Sequence, residues 1–250
     1  MASDDRPQNV YDDPAFFAGY SRMERFGVGW DRAMEQPTFL ALLPDPTGRR
    51  VLDLGCGAGQ LAFHLAEAGA AEVVALDLSE QMLALARAER PHALVSYRRE
   101  AIETADFPPE RFDLVVSSLA FHYVRDYRGL AGRIASWLAP AGVLVFSTEH
   151  PIYTARGSAD GWVVDGDGRR LAWSLDDYAQ EGPREHDWFV PGVRRYHRSL
   201  ATLLNGLIEA GLAIERVVEP VPSDEWLRER PQAVDERRRP MFLLVRARTS

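Results

Sequence analysis

The chain has 250 residues, 46% of them hydrophobic and 26% charged, a globular composition long enough to bury a full core. Its formal charge of -8 counts against a nucleic-acid partner, which needs a basic face, and Arg237-Arg238-Arg239 is too short a basic run to change that. No apolar run approaches the about 20 residues that span a bilayer, the polar Met1 to Tyr11 stretch lacks the pattern of a secretion signal, and a cytoplasmic location follows as an expectation.

In chain order, the first 45 residues read as helices and loops forming an N-terminal cap. Asp13-Pro14 has the form of an N-cap with proline at the first helical position, and Phe16, Phe17, Tyr20 and Met23 recur at helical spacing behind it. From Arg50 the pattern alternates strand and helix. Strands are expected at Arg50 to Leu54, Glu72 to Asp77, Val95 to Arg98, Phe112 to Ser117 and Val143 to Thr148. Helices are expected at Gly59 to Ala68, after the cap Ser79, and at Tyr127 to Leu138. Pro151 to about Pro191 breaks the rhythm and is rich in Gly, Asp and Trp. A helix at Leu200 to Ala210 and strands at Ala213 to Val218 and Met241 to Arg248 follow. The division is a single domain over 1–250, with a cap at 1–45, a core at 46–150, an insertion at 151–199 and a C-terminal part at 200–250.

The chemistry concentrates in Val51-Leu52-Asp53-Leu54-Gly55-Cys56-Gly57-Ala58-Gly59-Gln60, answered by Asp77 at the end of the next strand. An apolar strand enters a glycine turn and a helix leaves it, the layout of a nucleotide-binding β-α-β unit. The helix N-terminus behind the turn favours an electron-rich ligand. Cys56 is the single cysteine, which excludes a disulfide framework and a multi-cysteine zinc site; it reads as a small packing residue. The histidine spacing fits no metal-ligand pattern, so no metal is expected.

With Gly-x-Gly-x-Gly, Asp53 and Asp77 in place, the chain resembles the class I S-adenosylmethionine-dependent methyltransferases, in the small-molecule branch related to ubiquinone-biosynthesis enzymes. The likeness covers roughly residues 45–150. It implies a Rossmann-like doubly wound α/β fold, a seven-stranded mostly parallel sheet with its last strand antiparallel. It implies S-adenosylmethionine as cofactor and S-adenosylhomocysteine as product. By the same resemblance Asp53, Gly55, Cys56, Gly57 and Gly59 wrap the methionine part, and Asp77 holds both ribose hydroxyls. Leu78 and Met82 flank the adenine, and Glu100, Ala101 and Ile102 occupy the place of the acid near its amino group, where Asp is commoner. Ser117 sits against the methionine moiety. A narrower likeness, resting on arrangement alone, is to natural-product methyltransferases that finish amino-sugar antibiotics of the lincosamide type.

Ligands of open α/β sheets bind beyond the carboxyl ends of the strands. That rule nominates His122 after the fourth strand, and Glu149 and His150 after the fifth, as catalytic candidates. His122 reads equally as a base or as a packed histidine bonded to backbone; His186 and His197 are weaker candidates. Tyr11, Tyr20, Phe121, Trp173 and Tyr196 are the expected substrate wall. The expected reaction is methylation of a small molecule, nitrogen ahead of oxygen, with a homo-oligomer left open. The rivals are an NAD-dependent oxidoreductase and a non-catalytic S-adenosylmethionine-binding protein.

Overall fold

The computed structural model describes residues 7–22, 30–156 and 161–250; Met23, placed on the first helical stripe by its spacing, lies outside them. Its strands are β1 Arg50–Leu54, β2 Glu72–Asp77, β3 Val95–Arg99, β4 Phe112–Ser117, β5 Leu138–Glu149, β6 Trp162–Val164, β7 Arg170–Trp173, β8 Gly182–Trp188, β9 Val190–His197, β10 Ala213–Val218 and β11 Phe242–Arg248. Its α-helices are α1 Pro14–Ser21, α2 Trp30–Leu42, α3 Gln60–Glu67, α4 Glu80–Glu89, α5 Tyr127–Trp137, α6 Pro151–Thr154, α7 Leu200–Glu209 and α8 Asp224–Glu229.

A seven-stranded sheet runs in the order β10-β11-β5-β4-β1-β2-β3. β1 to β5 are mutually parallel, and β11 runs antiparallel to both β5 and β10. β1 and β4 sit at the centre, which is why both read as near-continuous apolar runs. Alternate side chains enter two cores. Leu52, Leu54 and Val115 pack with Ile134, Trp137 and Leu207 on the α5 and α7 side. Val51, Leu114 and Val116 pack with Met34, Phe39, Leu65 and Leu83 on the side of α2, α3 and α4.

Local chemistry sets the helix starts. Asp13 Oδ1 accepts the N–H groups of Ala15 and Phe16 with Pro14 at the first helical position, and Ser79 Oγ accepts the Met82 N–H. β5 begins at Leu138 rather than Val143, because Leu138 already pairs with Phe112 before the chain bends through Ala141, whose φ is 58°.

The insertion is more regular than its sequence. It forms two antiparallel hairpins, β6–β7 and β8–β9. Burial in β8 alternates residue by residue, but the inward positions are Gly182, Arg184, His186 and Trp188. The geometric period of two is present without a hydropathic one, so the strand leaves no apolar trace.

Candidate active site

The glycine turn after β1 is fixed by the neighbouring strand. The N–H groups of Gly55 and Cys56 both donate to Leu76 O, at 2.9 and 2.8 Å. Gly59 has φ +79°, and a Cβ there would lie 2.5 Å from the Tyr97 hydroxyl, so this position admits only glycine without rearrangement. Gly57 has φ +53°, and a Cβ there would meet no atom within 4 Å. The turn therefore bares backbone to a cavity of about 260 Å³ lined by Asp53, Gly55, Cys56, Gly57, Asp77 and others.

Asp77 links the turn to α4. Its Oδ2 accepts the Gly57 N–H at 2.8 Å and its Oδ1 accepts the Ser79 N–H at 2.8 Å. Burial nevertheless pushes its carboxyl up. Asp53 is 1% exposed, and its Oδ2 has no hydrogen-bond partner. Burial, then the charge of Asp77, drives its carboxyl up to about 8. Two adjacent acids, half-buried Asp77 and buried Asp53 with its orphaned oxygen, fit a ligand bringing a positive charge and hydroxyl donors. The Cys56 thiol is raised well above its ordinary value by burial and then by Asp53 and Asp77, which holds it protonated.

Leu78, Met82, Ala101 and Ile102 also line the cavity. Glu100 does not; its backbone N–H donates to Asp77 O, extending the β2–β3 ladder, and the acid that faces the cavity is Glu103. Burial raises the Glu103 carboxyl. Gly59 serves as the left-handed cap of α3 rather than as lining. Ser117 lies behind the wall, donating its hydroxyl to Leu54 O at 2.7 Å, while Ser118 faces the cavity.

The opposite wall comes from α2, α3 and the N-terminal segment: Glu35, Gln36, Phe39 and Leu40, then Gln60, Leu61 and His64, and Tyr11 and Tyr20. Tyr11 and Tyr123 share a hydroxyl hydrogen bond of 3.2 Å, and the Tyr11 and Tyr20 rings meet edge-on at 5.0 Å. Glu35 is 4% exposed; its Oε1 accepts the hydroxyls of Ser118 at 2.9 Å and Ser147 at 2.5 Å. Residues 7–12 run along the cavity as a strap. Gln8 exchanges hydrogen bonds with Gly192 O and the Arg194 N–H, and Asp12 accepts the Ser79 hydroxyl and the Gln81 N–H at the start of α4.

Several sequence expectations lie off this cavity. His122 is buried in the 3-10 turn Phe121–Tyr123, with Nδ1 3.4 Å from the Glu149 N–H, a packed histidine rather than a cavity base. His150 is 2% exposed and fully occupied: Nδ1 accepts the Ile152 N–H to cap α6, and Nε2 meets Glu219 at 2.7 Å. Burial, partly offset by Glu219, lowers its pKa. Glu149 pairs with buried Arg195 at 3.0 Å behind the wall. His186 is pushed down to about 4 by burial and by nearby arginines, and His197 is held between Thr154 and Tyr178 O. Phe121 belongs to the core beside Phe146. Trp173 stacks on Tyr153 and donates to Ile152 O, and Tyr196 pairs across its hairpin with Pro183. The turn after β4, at Ser118 to Ala120, lines the cavity, whereas the residues at the β5 end fold back into the insertion.

Sequence reasoning missed Glu35, Gln36, Phe39 and Leu40. Pro37 stands inside α2 and masks the helix that carries them. Among the described residues, no group of three His, Cys, Asp or Glu side chains is placed to hold a metal ion.

Residues 52–146 match a methyltransferase domain family. A crystal structure of an S-adenosylmethionine-dependent methyltransferase from Mesorhizobium loti is 47% identical, with a TM-score of 0.80, over 86% of this chain and 97% of that one. An uncharacterized protein of Haemophilus influenzae is 36% identical over 249 residues, 96% of each chain. A ubiquinone biosynthesis O-methyltransferase of Bradyrhizobium is 41% identical over 104 residues, which is 41% of this chain and 40% of that enzyme. The glycine turn, the two strand-end aspartates and these likenesses agree, and the chain belongs to the S-adenosylmethionine-dependent methyltransferases.

Proposed function

We propose that the chain methylates a nitrogen atom of a small-molecule acceptor, and that this cavity is where it does so. The observation carrying the nitrogen assignment is the charge of the lining. Apart from Asp53, Asp77 and Glu103, which this reading gives to the cofactor, the acid facing the cavity is Glu35, and among the described residues lining it there is neither Lys nor Arg. Such a wall disfavours anionic acceptors and favours amines. Tyr11, Tyr20 and Tyr123 also line the cavity, and an aromatic face turned to a cation stabilises it by about 0.5–2 kcal/mol.

In this reading the turn from Gly55 to Gly57 and the orphaned oxygen of Asp53 hold the amino-acid part of the cofactor. Asp77 accepts the ribose hydroxyls through its remaining lone pairs, a charge-assisted pairing. Leu78, Met82 and Ile102 flank the adenine, and Glu103 takes the place given to Glu100 in accepting from its amino group. When bound, S-adenosylmethionine supplies a methyl group already activated on a sulfonium. The protein's own contribution is to align an acceptor against it and exclude water, worth roughly 7–11 kcal/mol.

Oxygen methylation has less support. The ubiquinone-biosynthesis likeness covers 41% of the chain and 40% of that enzyme. Trp173 and Tyr196 lie off the cavity, so the aromatic cover behind the antibiotic-type likeness gives no support to a biosynthetic role. We place the reaction in the cytoplasm with a small-molecule partner; among the described residues no helix is long and apolar enough to cross a membrane.

The test has two stages. S-adenosylhomocysteine should raise the melting temperature and NADH should not; the reverse would turn the reading to an oxidoreductase. Radiolabelled methyl transfer across amines, phenols and carboxylic acids should then label amines. Labelling of phenols alone would move the acceptor to oxygen, and tight cofactor binding without any transfer would favour a binding protein.

A further inference from the structure

We propose that Glu35 is the acceptor-recognising acid of this enzyme: its carboxylate binds the ammonium form of an amine and takes the proton that the nitrogen must lose before it attacks. This rests on the nitrogen-methylation reading above. The site assembles from three elements that do not otherwise share a motif. α2 delivers Glu35, the turn after β4 delivers Ser118, and β5 delivers Ser147. Both hydroxyls donate to Oε1, which fixes the carboxylate in one orientation while it lines the cavity.

The two hydroxyl hydrogen bonds offset part of the cost of burying this carboxylate. The other cavity acids belong to the cofactor cradle: Asp53 to β1, Asp77 to β2 and Glu103 to the segment after β3. Glu35 stands instead among the residues of the opposite wall, next to Gln36, Phe39 and Leu40.

The backbone at this point is strained. Leu119 adopts φ +53°, a left-handed conformation that a non-glycine residue rarely takes. Its N–H is held by Ser147, at 3.0 Å to Oγ and 3.1 Å to the carbonyl oxygen. Ser147 therefore fixes two cavity-lining groups at once, the Glu35 carboxylate and the turn that carries Ser118, Leu119 and Ala120. Strain held by surrounding structure is a mark of a functional site.

The step balances as follows. An N–H bond of the bound ammonium breaks, the proton goes to the Glu35 carboxylate, and the electron pair stays on nitrogen. That pair forms the new N–CH₃ bond as the C–S bond breaks, and the C–S pair goes to sulfur. The product amine leaves as its ammonium, and Glu35 returns its proton to water.

The experiment uses the full chain and the amine from the panel above that wild type methylates fastest. Glu35→Gln keeps the shape and a hydrogen-bond acceptor but removes the charge. It is expected to lower kcat/KM for that amine by about 100-fold or more, with S-adenosylhomocysteine affinity by calorimetry within about 3-fold, a difference under 1 kcal/mol. Glu35→Asp should recover part of the rate. Ser147→Ala, which keeps the carboxylate but removes one of the hydroxyls that orient it, should give an intermediate loss with cofactor affinity unchanged and decides the matter if Glu35→Gln does not fold. A rate unchanged in Glu35→Gln, or one restored by saturating cofactor, would overturn the assignment, the second outcome moving Glu35 to the cofactor. Failure of the nitrogen reading is separately visible, because wild type itself would then methylate no amine.

Discussion

On the side of the cavity that we assign to the cofactor, Gly55, Cys56 and Gly57 follow a buried strand directly, and Asp77 reaches them with one hydrogen bond to the Gly57 N–H. On the cover side, Glu35 must find Ser147 and Gln8 must find Gly192. The cradle is made by backbone conformation within one β-α-β unit, whereas the cover is made by single side chains meeting across the chain. Backbone geometry leaves a compact signature in sequence, and side-chain meetings leave almost none.

That contrast can be broken by substitution. Asp77→Ala should have the largest effect, removing two acceptor sites for the ribose as well as the bonds that hold Gly57 and Ser79. Loss of two hydrogen bonds to a charged group predicts at least about 3 kcal/mol, or 100-fold, in S-adenosylhomocysteine affinity by calorimetry. A loss under tenfold would remove the ribose assignment.

A second prediction concerns pH. The Asp53 carboxyl has an ordinary value of 3.8 and is pushed up to about 8 in the fold. Between those values the folded protein holds a proton that the unfolded chain has released. Stability of the cofactor-free protein should therefore fall as pH rises from about 4 to about 8. Melting curves should show the decline, flattened by bound S-adenosylhomocysteine, whose ammonium group favours the ionised carboxylate. Asp53→Asn should remove this contribution to the slope; an unchanged slope would mean that another group causes it.

Gly59→Ala should lower stability by about 1–2 kcal/mol from the positive φ alone, with a further cost from moving Tyr97. A melting temperature equal to wild type would show that the turn is less rigid than its geometry implies. The smallest effect is expected on the cover side. His150→Ala should cost about 1 kcal/mol through the lost α6 cap, with kcat and cofactor affinity per folded molecule unchanged. A selective fall in kcat would return His150 to the chemistry.

The parallel sheet and the cofactor turn were legible because each strand reads as an apolar run and each turn has its own residue chemistry. β2, β4 and β10 begin and end where hydropathy places them. The catalytic candidates were less legible. His122, Glu149 and His150 do follow the right strands, but the chain turns each toward a local partner: the Glu149 backbone, Arg195 and the α6 N-terminus. Position along the sheet fixes which edge a residue occupies, and not which way its side chain turns there. Glu35 was hidden for a different reason. A lone acid on a helix interrupted by Pro37 carries no periodic signal, and its role depends on two serines at the ends of other strands.

The strap at residues 7–12 bears on the order of folding. Gln8 is bonded across 184 positions to Gly192, and Asp12 across 67 to Ser79. Residues 7–12 can thus complete their docking only after the second hairpin, made much later, has emerged. Long loop closures of this kind are slow relative to local structure. The cavity mouth is accordingly completed only once β9 has been made, and a nascent chain stopped before Gly192 would carry the glycine turn without its roof.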